Sequence, residues 1–416
     1  MKFFFIKKNA EFYKIILLLG SSSFFAQLIT FLGSMFLARI YSVNGFGLYA
    51  LFVSIASILS VIVSGKYELA ILLPKYDKDA QQIMFLCFCF CAFVFVLLFV
   101  VFLVFFFTKI LIFPDMRWQI LLLMVFYVIL TKINEIFILW LNRKKEYKII
   151  AKSNLIQSIV TIISQCIFGL LYNNELGLVI GSFIGIVTTF FYLYSLIKFD
   201  IVNVAKIHYM KKKYINFLKY NVAASVLNQA CGNIIVIMLP FLFDANILGY
   251  YYMANKIINV LLNIFISPIR YIFNQEAPIE KNNTGKAINS FNFIFRKIFV
   301  VSCLICLTLF FFGKEIIFFT FGEKWNMSGD FLMILIPLAF IQFIVNPLSS
   351  SFGIFQKNRL DLLWQIFFIC SSFFPFIVVY FFKIDFKYFM LLYIYAMVFA
   401  YSINLLLSYK ICKGEL

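Results

Sequence analysis

The chain has 416 residues, of which 64% are apolar and only 13% charged, against roughly 45–50% apolar for an ordinary soluble domain. No soluble fold of this size can bury that much apolar surface, so the composition excludes a soluble enzyme or a soluble binding module. The net charge of +18 would point to nucleic acid in a soluble protein. In a membrane protein it points instead to Lys and Arg held on the cytoplasmic side, because these residues resist translocation.

At about 20 apolar residues per crossing, the sequence holds about twelve spans joined by short connections. In chain order they fall at 15–37, 48–73, 83–107, 118–141, 154–172 and 178–197, and then at 217–243, 248–273, 293–312, 331–355, 362–382 and 386–409. Runs such as 85–107 are apolar on all sides, which predicts helices and not the alternating strands of a β-barrel. Lys2, Lys7 and Lys8 before an apolar run have the form of a signal peptide. The apolar run continues through Ile29 and Phe36, so an uncleaved first helix is expected. The expected fold class is an all-α polytopic membrane protein with two six-helix lobes, residues 1–200 and 201–416.

With the N-terminus placed in the cytoplasm, 27 of the 36 Lys and Arg residues fall on inside segments. Seven fall outside (Arg39, Lys109, Arg117, Lys314, Lys324, Lys383 and Lys387), and Lys132 and Lys256 lie within helices. A bias this consistent over short loops predicts a multi-pass protein of a cell membrane with both termini cytoplasmic, and it removes the nucleic-acid reading.

Signs of catalysis are few. His208, the single histidine, falls in a predicted cytoplasmic loop beside Lys211, Lys212 and Lys213. Of nine cysteines, Cys303 and Cys306 have redox spacing, but on an apolar helix they read as packing residues. The sequence has no Gly-rich phosphate loop and no external pair of carboxylates. The chain is therefore expected not to be an enzyme, and to need no metal or cofactor beyond a coupling ion, H⁺ or Na⁺. A membrane glycosyltransferase or polymerase would need external catalytic groups.

Polar residues instead form stripes at helical spacing inside several spans. The first span carries Ser23, Gln27, Thr30 and Ser34, and the second Ser57, Ser60 and Ser64. The fourth carries Tyr127, Thr131, Asn134 and Glu135, flanked by Lys132. The seventh carries Asn221, Ser225, Asn228, Gln229 and Asn233, and the eighth Tyr252, Lys256, Asn259, Asn263 and Ser267. The tenth carries Gln342, Asn346 and Ser349 between Pro337 and Pro347. Interhelical hydrogen bonds account for single Ser and Thr residues, whereas whole rows of Asn, Gln and Lys suit a water-accessible cavity. Lys132 has Glu135 three residues away as a potential ion-pair partner. Lys256 has no acid near it in sequence, which fits either an anionic ligand, a carboxylate from a distant segment, or snorkelling.

The two halves also resemble each other. Gly47-Leu48-Tyr49-Ala50 opens the second span as Gly249-Tyr250-Tyr251-Tyr252 opens the eighth, 202 positions later. An even number of helices between matching elements gives a parallel repeat about an axis along the membrane normal.

Motifs along nearly the whole chain resemble the polysaccharide biosynthesis flippases of the MOP superfamily, the Wzx-type O-antigen translocases. They are Ala38-Arg39-Ile40-Tyr41 with Gly45-Phe46-Gly47-Leu48-Tyr49, Lys66-Tyr67-Glu68-Leu69-Ala70 running to Pro74-Lys75, and Leu141-Asn142-Arg143-Lys144-Lys145-Glu146-Tyr147. Further on come Tyr214-Ile215-Asn216-Phe217-Leu218-Lys219-Tyr220, Leu248-Gly249-Tyr250-Tyr251-Tyr252, Phe321-Gly322-Glu323-Lys324-Trp325 and Pro347-Leu348-Ser349-Ser350-Ser351-Phe352.

The resemblance implies two lobes around a central cavity and a partner in a polyprenyl-pyrophosphate-linked oligosaccharide. It implies transfer of that lipid from the cytoplasmic to the outer leaflet of a bacterial inner membrane by alternating access. Other polysaccharide-assembly proteins would be neighbours in the pathway, whether for O-antigen lipopolysaccharide or another surface polysaccharide. Candidate substrate-binding residues are Lys256, Lys132, Arg39, Lys66 and Arg270 around the diphosphate, Glu135 as the partner of Lys132, and Asn228, Asn259, Asn263 and Gln27 around the sugars. A cation-coupled small-molecule exporter of the same superfamily is the alternative; it should show buried carboxylates, of which the spans offer Glu135 alone against two lysines.

Overall fold

The computed structural model describes residues 2–109, 117–172, 174–199, 204–215 and 217–416, with side chains from residue 20 onward except at positions 204, 220, 245, 267, 268, 271 and 358. Among the described residues the structure is helical, with no strand. The chain divides into two compact units, residues 1–229 and 230–416.

The first unit contains α1 (Lys2–Ile40), α2 (Val43–Val63), α3 (Asp77–Thr108), α4 (Trp118–Arg143), α5 (Tyr147–Tyr172), α6 (Leu176–Leu196) and α7 (Val204–Lys213). α8 (Val222–Leu242) comes after a π-helical turn at Phe217–Asn221 and crosses the division. The second unit continues with α9 (Ala245–Leu261), α10 (Ser267–Thr284), α11 (Ile288–Phe321), α12 (Asn326–Leu348), α13 (Ser351–Ile354), α14 (Asn358–Phe382) and α15 (Phe386–Lys413).

Eleven helices among the described residues are long and apolar enough to cross a membrane. The run from α9 through a π-helical turn at Leu262–Ile266 into α10 is not among them. Its three pieces of 17, 5 and 18 residues form one long helical rod that carries Asn255, Lys256, Asn259, Asn263 and Arg270. Phenylalanines such as Phe107, Phe311, Phe319 and Phe382 stay largely exposed, as expected of surfaces solvated by lipid.

In the first unit, α5 and α6 approach most closely. Gly177, Gly181 and Gly185 recur at i, i+4 and i+8 on one face of α6, the small-residue spacing that lets helix backbones meet. A Cβ on Gly181 would lie 2.5 Å from the Gln165 amide nitrogen, and one on Gly185 would lie 2.0 Å from the Thr161 hydroxyl. Gln165 uses this proximity to donate to the Leu178 carbonyl and the Ser182 hydroxyl, both at 2.9 Å.

The second predicted span, 48–73, is broken. α2 ends at Val63, and Gly65 and Lys66 both take left-handed backbone, φ 58° and 59°. Such backbone stops a helix, at little cost for glycine and at a real cost for Lys66. The chain then turns into a 3₁₀ helix, Tyr67–Leu72. Arg143 at the end of α4 pins this piece, donating to the Ile71 carbonyl at 3.1 Å and to Asp77 at 2.9 Å. His208, expected in a loop, lies on α7, which docks through Lys206 on Asp79 at 2.7 Å.

In the second unit α12 packs against α9, α11 and α15. Trp325, fully buried, meets the rings of Phe321 and Tyr250. At the opposite end of α11, Glu280 accepts from the Asn289 and Ser290 amides at 3.0 and 2.7 Å and from the Ser290 hydroxyl at 2.6 Å. These bonds occupy the first-turn N–H groups that lack partners within the helix.

α2 and α9 begin alike. Ser42 caps α2 and Asp244 caps α9, each accepting from an amide of the first turn. Gly47 and Gly249 are the fifth residues of the two helices, so the repeat read from the sequence marks corresponding helix starts.

Candidate functional site

The break after α2 carries Glu68 inward. Its carboxylate is fully buried and lies 3.3 Å from the Lys132 ammonium on α4. Lys132, 1% exposed, also donates to Glu135 at 2.5 Å. Lys66 stands 3.8 Å from Glu68, and the Ser64 hydroxyl donates to Glu68 as well. Lys66, Lys132 and Glu135, proposed from the sequence, are thus brought together, and Glu68 joins them. The expectation that Glu135 stands alone among buried carboxylates is corrected: Glu68 is the more deeply buried of the two, since the Glu135 side chain is 46% exposed. Glu68 is not on a span stripe, because its position results from the left-handed turn and not from helical periodicity. Two paired acids around one lysine leave no free carboxylate in this cluster for an exported cation.

A second polar feature lies wholly inside the first unit. Thr30 of α1, Tyr49 of α2, Tyr127 of α4, Asn154, Gln157, Ser158 and Thr161 of α5, and Ser182 and Ile186 of α6 line a cavity of about 240 Å³. Thr30 and Tyr127 belong to stripes read from the sequence. The α5 row lies outside them, although Asn154, Gln157, Ser158 and Thr161 have the helical spacing i, i+3, i+4, i+7 that marks one face. Gln27, a turn before Thr30 on α1, is half-buried, and Arg39 at the far end of α1 is exposed.

In the second unit Lys256 is half-buried on α9, with its ammonium 5.9 Å from the centre of the Tyr252 ring. Among the described residues no carboxylate comes within ion-pairing distance of it. Asn259 and Asn263 are exposed along the same rod. The π-helical turn begins just before Asn263 and rotates the C-terminal part of the rod relative to a regular helix. Arg270 on α10 is exposed and the structure does not join it to Lys256, and Asn228, on the part of α8 that belongs to the first unit, is exposed as well. Also in the second unit, Gln342 of α12 donates to the Tyr401 hydroxyl at 3.4 Å.

A family model described as "Polysaccharide biosynthesis protein" matches residues 36–330, well over half of the chain and the segment that carries Glu68, Lys132, Glu135 and Lys256. The chain belongs to this family.

No curated protein matches it in sequence. Among solved structures, the lipid II flippase MurJ in an inward closed conformation is similar with a TM-score of 0.71 at 16% identity, covering 96% of this chain and 88% of that one. An inward-facing multidrug resistance MATE family transporter of the MOP superfamily gives 0.70 at 13% identity, covering 93% and 95%. A MOP superfamily transporter from Pyrococcus furiosus, described as having a binding pocket of reverse polarity, gives 0.53 at 13% identity, covering 96% of each chain. This member of the polysaccharide biosynthesis family therefore has the polytopic MOP transporter fold.

Proposed function

We propose that this chain is a flippase that moves a polyprenyl-pyrophosphate-linked oligosaccharide from the cytoplasmic to the outer leaflet of the inner membrane by alternating access, with both termini cytoplasmic. The observation that carries the reading is Lys256, a half-buried cation on a helical rod that also carries Asn255, Asn259 and Asn263, with no carboxylate at ion-pairing distance among the described residues. A lone ammonium in such a place costs about 2.5–3.5 kcal/mol on insertion scales, and a lipid-linked diphosphate would offset that cost by charge-assisted hydrogen bonds. Asn259 and Asn263 beside it suit sugar hydroxyls. Outward movement of the diphosphate runs down an inside-negative potential, worth about 2.3 kcal/mol per charge per 100 mV, so the potential itself can drive transfer. A coupling ion is then an addition and not a requirement.

The second reading, a cation-coupled exporter, draws on Glu68 and Glu135. Lys132 pairs with both and Lys66 stands 3.8 Å from Glu68, so a cationic substrate would have to displace an ammonium already in place.

The test is export of the lipid-linked glycan in cells whose synthesis steps are intact, measured together with protein abundance. Lys256→Arg should keep partial export, Lys256→Gln should lose at least tenfold at unchanged abundance, and Lys256→Glu should lose all export. Normal export by Lys256→Gln at normal abundance would remove the anchor from this residue.

A further inference from the structure

The cavity inside the first unit is polar yet uncharged. Of its nine lining residues eight carry a hydroxyl or a carboxamide, and none is Asp, Glu, Lys, Arg or His. Some of these groups are already used within the protein. Tyr49 shares a 2.8 Å hydrogen bond with Ser182, Ser158 bonds the Leu155 carbonyl at 3.0 Å, and Thr30 bonds the Ala26 carbonyl at 2.8 Å.

Four others are not used. Among the described residues, the Tyr127 and Thr161 hydroxyls and the Asn154 and Gln157 carboxamides make no hydrogen bond to the protein, although all four face the cavity. Polar groups held inside a transmembrane unit without partners are costly unless water or a ligand meets them. Two carboxamides and two hydroxyls offer both donors and acceptors, as a polyol requires. The rings of Tyr49 and Tyr127 sit at the wall, both in contact with Phe52, and provide flat apolar surface for the C–H face of a sugar.

Charge decides which ligand fits. A metal or drug cation would need a carboxylate here, and a phosphate or a uronic acid would need a cation; the lining supplies neither. At about 30 Å³ per liquid water, the volume corresponds to about eight waters, which is the room taken by one sugar ring with its hydroxyls.

We propose that this cavity is a binding site for a single uncharged sugar ring, formed by Asn154, Gln157, Thr161 and Tyr127. The proposal rests on the flippase reading for the source of that sugar, the saccharide of the lipid-linked substrate. The site itself lies wholly within the first unit and uses none of the residues around Lys256, which belongs to the second.

The full-length protein in lipid nanodiscs tests this by thermal unfolding, with a panel of free neutral hexoses, 6-deoxyhexoses and N-acetylhexosamines, the corresponding uronic acids, and inorganic pyrophosphate. At least one neutral sugar should raise the unfolding midpoint saturably, because a ligand bound only to the native state stabilises it. The uronic acids should not. In Asn154→Leu and Gln157→Leu half-saturation by that sugar should shift to about tenfold higher concentration, the effect of about one lost hydrogen bond. Unliganded midpoints close to wild type would show that these variants fold, and Thr161→Val provides a third, smaller change.

Lys256→Gln should keep the sugar response and lose the pyrophosphate response. Absence of any neutral-sugar response, or a response unchanged in both Leu variants, would overturn the proposal and leave the cavity holding water only. A sugar response that depends on Gln157, in cells where Gln157→Leu does not reduce lipid-linked glycan export, would keep the site but assign it to a free sugar. Loss of the pyrophosphate response in wild type would instead count against the flippase reading alone.

Discussion

Lys132 and Glu68 meet at 3.3 Å across 64 residues of sequence, with both side chains almost completely shielded. Glu135 holds the other side of the same ammonium, so the lysine ties α4 to the 3₁₀ turn after α2. Removing one partner of a buried ion pair leaves an uncompensated charge and costs about 3–5 kcal/mol.

Lys132→Gln should therefore lower folded abundance several-fold, because buried Glu68 is left with Lys66 alone, at 3.8 Å, as its cationic partner. The double change Lys132→Gln with Glu68→Gln should recover most of that abundance, whereas Lys132→Gln with Glu135→Gln should recover less, since half-exposed Glu135 can be solvated. Quantitative immunoblotting of membranes checks this. Equal abundance in all three variants would mean that the cluster does not hold the unit together.

The α5–α6 contact gives a second prediction. Gly181→Leu should cut folded abundance more than tenfold, because its Cβ already meets the Gln165 backbone at 2.5 Å and the helices would have to separate. Gly232→Ala on α8, where a Cβ meets no atom within 4 Å, should leave abundance unchanged. Fluorescence-detected size-exclusion of the two variants compares them directly.

Glu280 predicts a pH dependence. Burial pushes its carboxyl up, but the bonds from Ser290 and Asn289 outweigh that and hold it below the ordinary glutamate value. A carboxyl depressed in the folded state contributes stability above the unfolded pKa, about 4.3, and that contribution is lost as pH falls through the lower folded value. Glu280→Ala should thus lower thermal stability at pH 7 by about 1 kcal/mol, the usual contribution of a helix-capping side chain. The gap to wild type should narrow as the pH is brought well below 4.3, about the unfolded value. Unfolding midpoints at a series of pH values measure it.

The charge bias predicts the topology. Cysteines replacing Lys144 and Lys212 in a background lacking the native cysteines should react only with membrane-permeant reagent in intact cells. A cysteine replacing Lys324 should react with an impermeant one. External labelling at position 144 would reverse the orientation.

The sequence by itself determined the class of fold. Unbroken apolar runs of membrane length leave helices as the only way to satisfy backbone groups in lipid without closing a barrel, and fixed spacing of polar residues places stripes on named faces. It also pointed to matching helix starts, since Gly47 and Gly249 are each the fifth residue of their helix. Periodicity could be read because it repeats every few residues along one chain.

The tertiary structure decided what depends on groups distant in sequence. Glu68 reaches Lys132 only because Gly65 and Lys66 turn left-handed and end α2 early, a local backbone event with no period. The neutral cavity exists only because five helices surround it and the glycines of α6 let α5 come close enough to present Asn154, Gln157 and Thr161 beside Ser182. A span stripe says that a polar face must meet something, and the packing of neighbouring helices decides whether that is a carboxylate, a carbonyl or an open space.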